Sequence, residues 1–282
     1  MSELRTITQM LSHSRALGVD RLDAQLLLAH LLSRSRAWLL AHDDATLASI
    51  DCVAARALLA RRAAGEPMAY LVGEREFHGL TLHVNSEVLV PRPETETLVD
   101  WALEFLADIR TPCIADLGTG SGAIALALKH ACPNALVHAC DASVAALAVA
   151  RGNGERLGLP VTWHLGDWWQ ALCCAGRFDI AVANPPYVAP GDPHLAALRH
   201  EPLAALVPNG DAGNGLADIE RVVAGAKAHL TEGAWLLLEH GFDQAGAVRE
   251  RLHRAGFAEV STRTDLAGQP RVSGGRVGTK RF

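Results

Sequence analysis

The chain has 282 residues, 49% hydrophobic and 20% charged, the proportions of a soluble globular protein with a sizeable core in one large or two modest domains. Its 26 Lys and Arg against 31 Asp and Glu leave a net charge of −5, with only three lysines among the cations, so no broad positive field gathers nucleic acid. The longest stretch free of charged side chains is 12 residues, well short of the ~20 that span a bilayer, and no membrane association is expected.

The opening Met-Ser-Glu-Leu-Arg has neither the basic start nor the apolar core of a secretory signal, so a cytoplasmic location is expected. Six cysteines, Cys52, Cys113, Cys132, Cys140, Cys173 and Cys174, then read as reduced thiols. They form no C-x-x-C pair and the histidines are scattered, so no metal site is predicted. Residues 1–70 read as helical throughout. Leu22, Leu26, Leu27 and Leu31 recur at helical spacing behind Asp20 as N-cap. A further helix over 50–64 places Val53, Ala57, Leu58 and Ala60 on one side and stops at Gly65-Glu66-Pro67. Eight Arg against seven acids make this region nearly neutral, which argues against a nucleic-acid-binding arm; a small helical bundle is expected, of the kind that joined to a larger domain often orients a partner. Residues 71–94 form the expected link. Phe77, Leu80, Leu82, Val84, Val88 and Val90 alternate with polar residues, and His78-Gly79 supplies a turn, which predicts a β-hairpin.

From residue 95 to 282 the rhythm becomes strand, turn, helix. Apolar runs at 113–117, 136–140, 161–165, 179–183 and 234–239 read as strands, with helical stretches near 123–130, 143–156, 217–230 and 244–255. This alternation predicts an α/β domain whose mostly parallel sheet is covered on both faces. Two late runs, 258–263 and 276–282, add an expected strand pair.

The first strand of this domain leads into Asp116-Leu117-Gly118-Thr119-Gly120-Ser121-Gly122. Glycines there let the backbone turn tightly and approach a ligand, and the following helix offers free N–H groups to an anion. Asp141 follows Gly120 by 21 residues at the end of the second strand, the place of an acid that binds ribose hydroxyls. Gly118-x-Gly120-x-x-Ala123 also satisfies a relaxed dinucleotide pattern, so nicotinamide chemistry stays open at this point. Asp167-Trp168, after the third strand, offers a carboxylate for an exocyclic amine and an indole for a purine face, while Trp168 or Trp169 as plain core is the alternative. The fourth strand ends in Asn184-Pro185-Pro186-Tyr187, where two prolines force the chain out of the sheet. Acceptors at Asn184 and the Pro185 carbonyl, with the flat face of Tyr187, suit a planar –NH2 group.

Together these residues resemble the class I, Rossmann-like methyltransferases that use S-adenosylmethionine to methylate planar amino nitrogens. Arg61-Arg62, the run from Gly65-Glu66-Pro67 to Gly73, Glu76-Phe77-His78-Gly79 and Pro91-Arg92-Pro93-Glu94-Thr95-Glu96 are similar to the HemK/PrmC family. That resemblance implies methyl transfer to the N5 amide nitrogen of the glutamine in the Gly-Gly-Gln motif of class 1 peptide chain release factors, hence a part in translation termination. It implies S-adenosylmethionine contacts at Gly118, Thr119, Gly120, Ser121, Gly122, Asp141, Trp168 and Asn184, and substrate contacts at Asn184, Pro185, Pro186 and Tyr187, with Asn184 catalytic. Under it, residues 1–70 become a release-factor docking domain. The alternatives are N-methylation of a ribosomal protein glutamine, or of an exocyclic amino group in DNA or rRNA. Residues 71–282 disfavour the nucleic-acid readings, since 18 cations against 24 acids leave them at −6 with no basic cluster to hold phosphates.

Overall fold

A computed structural model of the chain describes residues 5–211 and 213–278, which divide into two compact units, Met1–Glu74 and Arg75–Phe282. The smaller unit holds five helices among its described residues: α1 (Ile7–Ala16), α2 (Arg21–Leu31), α3 (Arg36–Ala41), α4 (Ser49–Ala63) and α5 (Met68–Val72). Local capping fixes their starts. Thr6 and Gln9 form a reciprocal capping box on α1, Asp20 accepts from Leu22 N at 2.7 Å, and Ser35 accepts from Trp38 N at 3.1 Å. Helix α2 lies at the centre, giving Leu28 to a cluster with Ile7, Met10, Leu39 and Cys52, and Ala24 and Leu27 to a second with Val19, Leu59 and Leu71.

The buried stripes differ from the predicted ones. Leu22 and Leu26 are exposed while Ala24, Gln25, Leu27 and Leu28 are buried; on α4, Val53 is exposed and Cys52, Ala55 and Leu59 are buried. Both helices are apolar around most of their circumference, so periodicity does not single out a face.

The predicted hairpin follows, β1 (Glu74–Phe77) and β2 (Leu80–His83), turned at His78 and Gly79. Phe77, Leu80 and Leu82 join the main core of the larger unit. Next come a 3-10 turn at Pro93–Thr95, α6 (Glu96–Leu106), β3 (Cys113–Leu117), α7 (Ala123–Ala131), β4 (Leu136–Asp141), α8 (Val144–Leu157) and β5 (Thr162–Leu165). The chain continues through β6 (Phe178–Ala183), α9 (Ala217–His229), β7 (Leu230–Glu239), α10 (Ala245–Arg254), β8 (Phe257–Thr264) and β9 (Pro270–Val277).

Seven strands form one sheet in the order β5-β4-β3-β6-β7-β9-β8; β3 to β7 are parallel, and β9 runs antiparallel to both its neighbours. Side chains alternate across it: Ile114, Ile180 and Val182 enter the core beneath α6 and α7, while Ala115, Leu117 and Ala181 enter the one beneath α9 and α10. The second strand of the late pair starts six residues before its predicted position, at Pro270, because paired backbone on β7 and β8 recruits a glycine-rich segment that propensity passes over. The part of that prediction over 279–282 lies outside the described residues.

Candidate active site

Strand register brings five strand ends into one row. Leu117, the last residue of β3, pairs with Cys140 on β4 and with Ala183 on β6, so Gly118 is flanked by Asp141 and Asn184. Asp141 pairs in turn with Leu165, and Ala183 with Leu238, which places Leu165 and Glu239 at the outer ends of the row. The chain leaves β3 for β4 on one side and returns to β6 on the other, and the carboxyl edge at such a switch point is where open α/β sheets bind ligands. A cavity of about 940 Å³ lies there, lined by Gly118, Thr119, Gly120, Ser121, Asp141, Trp168, Asn184 and Pro186 among others.

Left-handed backbone shapes the loop after β3, with φ of +75° at Gly118 and +56° at Gly120. A Cβ at Gly118 would press on the Trp168 ring at 3.1 Å, whereas one at Gly120 would meet no protein atom within 4 Å and would project into space a ligand can use. Gly122 holds the entry to α7. It does not line the cavity; its φ of +85° starts α7, and a Cβ would crowd Leu126, Ala150 and Trp163 at 3.1–3.2 Å. Two carboxylates hold the loop. Buried Asp116 accepts from Thr119 Oγ1 at 2.6 Å and from Ala125 N at 3.1 Å, and its burial pushes the carboxyl up to about 7. Asp141 accepts from Gly120 N at 2.9 Å and from Ser143 N at 2.8 Å; burial raises its pKa against those two bonds.

The two tryptophans separate cleanly. Trp168, at φ +42°, lines the cavity, while Trp169 is core, donating Nε1–H to Val222 O at 2.7 Å and stacking on His229. A Cβ on Gly225 of α9 would overlap the Trp169 ring, so glycine is what lets that indole seat. Cys140 donates to the Trp168 carbonyl, and burial pushes its thiol up to about 12, so it stays protonated.

At the end of β6, Asn184 and Pro186 line the cavity; Pro185 and Tyr187 between and beyond them are not among its lining residues. Asn184 Nδ2 donates to Thr95 Oγ1 at 3.3 Å, and its Oδ1 takes no hydrogen bond from the described residues. The Tyr187 hydroxyl donates to Glu239 Oε1 at 3.2 Å; burial, then the Glu239 charge, raise its pKa. Gln244 Nε2 donates to the Tyr187 carbonyl at 2.9 Å and fixes the exit of the turn.

Sequence reasoning missed Thr95, Glu201, Asp218 and Glu239. Glu201 accepts from Val90 N at 3.0 Å and from Arg92, tying together two cavity-lining segments far apart in sequence. Asp218 and Arg221 of α9 line the rim with Asp167, their ion pairs at 3.5 and 3.8 Å. Glu239 carries a readable signal, an acid closing the apolar run Leu236-Leu237-Leu238; burial raises it to about 7.

This doubly wound sheet, with glycine loop, acid and Asn-Pro-Pro-Tyr turn in one row, has the class I methyltransferase fold. It is similar in structure to a methyltransferase from Pyrococcus furiosus, with a TM-score of 0.53 and 18% identity over 71% of this chain and 90% of that one. A Thermus thermophilus 16S rRNA methyltransferase, solved with AdoMet and guanosine, gives 0.54 and 21% over 72% and 49%. Family models described as PrmC N-terminal domain and Methyltransferase small domain match residues 4–73 and 98–212. The chain belongs to the release factor glutamine methyltransferase family: relatives of that name from Bordetella pertussis and Vibrio cholerae are 51% and 43% identical, covering 92% and 99% of this chain and 95% and 96% of theirs.

Proposed function

We propose that this chain transfers a methyl group from S-adenosylmethionine to the N5 nitrogen of the glutamine in the Gly-Gly-Gln motif of class 1 release factors, in the cytoplasm. The row of strand ends that brings the glycine loop, Asp141, Trp168 and Asn184 to one cavity carries the reading. The residues present fit the cofactor. The cavity volume falls in the ~300–1,000 Å³ range of small-molecule sites, with open space over Gly120, an acid for ribose hydroxyls and an indole for a purine. Family membership supports the substrate, and the absence among the described residues of a helix long and apolar enough to cross a membrane is compatible with the location.

When bound, S-adenosylmethionine supplies an electrophilic methyl group on a positively charged sulfur. An amide nitrogen is a poor nucleophile because its lone pair is delocalised into the carbonyl, so alignment is the main task of the protein, and it can supply ~7–11 kcal/mol of the barrier. Asn184 Oδ1 and the Pro185 carbonyl, which accepts from no described residue, supply two acceptors for the amide hydrogens. These contacts strengthen as the nitrogen gains positive charge, so they favour the transition state over the bound substrate. Asn184 is assigned as the catalytic residue. No base need act before attack, since the proton becomes acidic once the nitrogen is methylated. Residues 1–70 are assigned to docking the release factor.

Labelled S-adenosylmethionine incubated with the protein and separate pools of release factor, ribosomal protein, rRNA and DNA tests this. Label is expected on the release factor glutamine. Label on another pool alone would overturn the substrate, and label on none would overturn the activity.

A further inference from the structure

The Asn-Pro-Pro-Tyr turn ends at Tyr187, and the connection from β7 to α10 grips that residue at both ends. Glu239, the last residue of β7, accepts from the Tyr187 hydroxyl, while Gln244, at the start of α10, donates Nε2–H to the Tyr187 carbonyl at 2.9 Å. The same Nε2 donates to the Asn214 carbonyl at 3.0 Å, and Oε1 accepts from Gly241 N at 2.8 Å. Both amide hydrogens and the amide oxygen are therefore engaged. These three neighbours fix which way the amide points, because a flipped group would set its oxygen against two carbonyls and its NH2 against a backbone N–H. Gly215 closes on the same carbonyl. At φ +71° it approaches so nearly that a Cβ there would lie 2.0 Å from Tyr187 O and 2.9 Å from Gln244 Nε2. Its loop is itself knotted, since Asp211 accepts from the N–H groups of Gly213, Gly215, Leu216 and Ala217 at 2.7–3.2 Å.

Resting on the methyl-transfer reading above, we propose that Gln244 is a positioning residue for methyl transfer: it clamps the Tyr187 carbonyl to the loop before α9 and so fixes how the turn presents Asn184 and the Pro185 carbonyl to the substrate amide. The two prolines transmit the clamp. Each ring holds φ at about −65°, so between Asn184 and Tyr187 the backbone keeps only its ψ rotations, and a shift at Tyr187 reaches the acceptors with little absorbed on the way. The other end of the turn is already fixed, because Ala183 pairs with β3 on one side and β7 on the other. Gln244 does not line the cavity, so it acts on the site only through the backbone it holds. Its bond to Gly241 is local, three residues away, and serves the start of α10. The bonds that reach the site are the two it donates, to carbonyls 57 and 30 residues away in the chain.

The test uses the full-length protein, saturating S-adenosylmethionine and a release factor, with single-turnover rates counted per folded molecule. Gln244→Glu keeps the shape and the acceptor for Gly241 N, deletes both donors and turns a carboxylate toward two carbonyls. The rate is expected to fall roughly 10- to 100-fold, as misplacement at a reacting centre does, with the Kd for S-adenosylmethionine and the KM for release factor nearly unchanged. Gly215→Ala displaces the same carbonyl by a different route. Adding it to Gln244→Glu is expected to cost much less than the product of the two separate losses, since the two changes act on one group. A residue needed only to start α10 would give a different pattern: a normal rate in Gln244→Glu, which keeps the Gly241 bond, and a loss in Gln244→Met, which does not. That pattern, a loss confined to cofactor or substrate binding, or independent losses in the double variant each overturns the clamp. If Gln244→Glu is too unstable to assay, Gln244→Met, alone and with Gly215→Ala, carries the comparison of rate against binding. A wild-type protein that methylates no release factor defeats the parent reading instead, whereas an active wild type beside an equally active Gln244→Glu defeats only the clamp.

Discussion

Replacing Asp141 with alanine separates what this carboxylate does for the ligand from what it does for the fold. In the free protein it accepts from Gly120 N at 2.9 Å and from Ser143 N at 2.8 Å, pinning the glycine loop and the entry to α8. Both N–H groups border a cavity that water can enter, so their loss costs on the order of 1–2 kcal/mol, and relief of a buried charge whose pKa is already raised offsets part of that. At ~2–4 °C per kcal/mol for a unit of this size, the melting temperature should fall by a few degrees at most. Cofactor binding should suffer more. A hydrogen bond to a charged group contributes ~1.5–3 kcal/mol, and each ~1.4 kcal/mol is tenfold, so losing one ribose contact raises Kd roughly 10- to 150-fold. Calorimetric titration with S-adenosylmethionine beside a melt of the free protein reads both. Asp141→Asn, which turns one acceptor into a donor facing a backbone N–H, should behave similarly. An unchanged Kd in a folded Asp141→Ala protein refutes the assignment.

Asn184→Ala should lower single-turnover methyl transfer by ~10²–10³ while cofactor affinity changes less, and near-normal turnover would remove its role. Gly122→Ala should destabilise by about 1–3 kcal/mol in a denaturant melt, because a left-handed backbone and three close neighbours oppose the Cβ; a neutral result would contradict that packing. Burial lifts Asp116 from ~4 in the unfolded chain to about 7, so the folded state keeps a proton the unfolded state has released and stability falls as pH climbs through that window. Asp116→Asn should flatten part of the slope, with Glu239 accounting for another part, and should melt higher relative to wild type at pH 8 than at pH 4; parallel profiles would count against it. A chain begun at Gly73 retains every cavity-lining residue and should bind S-adenosylmethionine yet methylate intact release factor poorly, and wild-type rates would remove the docking role of residues 1–70.

What could be read in advance follows from the range of each interaction. The parallel strands announced themselves as short apolar runs, and Asp141 and Asn184 stood out because each closes one of them. Their adjacency to Gly118 is a matter of register, which no single segment encodes. Thr95 and Glu201 were invisible for the same reason: their partners lie 89 and 109 residues away, and a threonine before a helix or a glutamate in a loop has a local explanation ready. That Gly122 is also crowded by Ala150 and Trp163 was equally out of sight, because that packing exists only once α8 and β5 are in place. In the helical unit, leucines and alanines around the whole of α2 and α4 left the buried side to tertiary packing.

Gly225 extends the footprint of the ligand well past anything the ligand touches. It sits inside α9, where glycine is worse than alanine by ~0.5–1 kcal/mol, and the helix bears that cost so that the ring of Trp169, the residue after cavity-lining Trp168, can pack against it and stack on His229. Variation at this position would be purged as though it were a binding residue, although Gly225 does not line the cavity. A map of mutational tolerance over this protein should therefore show an outpost on the outer layer of helices, and a substitution that strengthens helices almost everywhere else would there erode the wall of the cavity from behind.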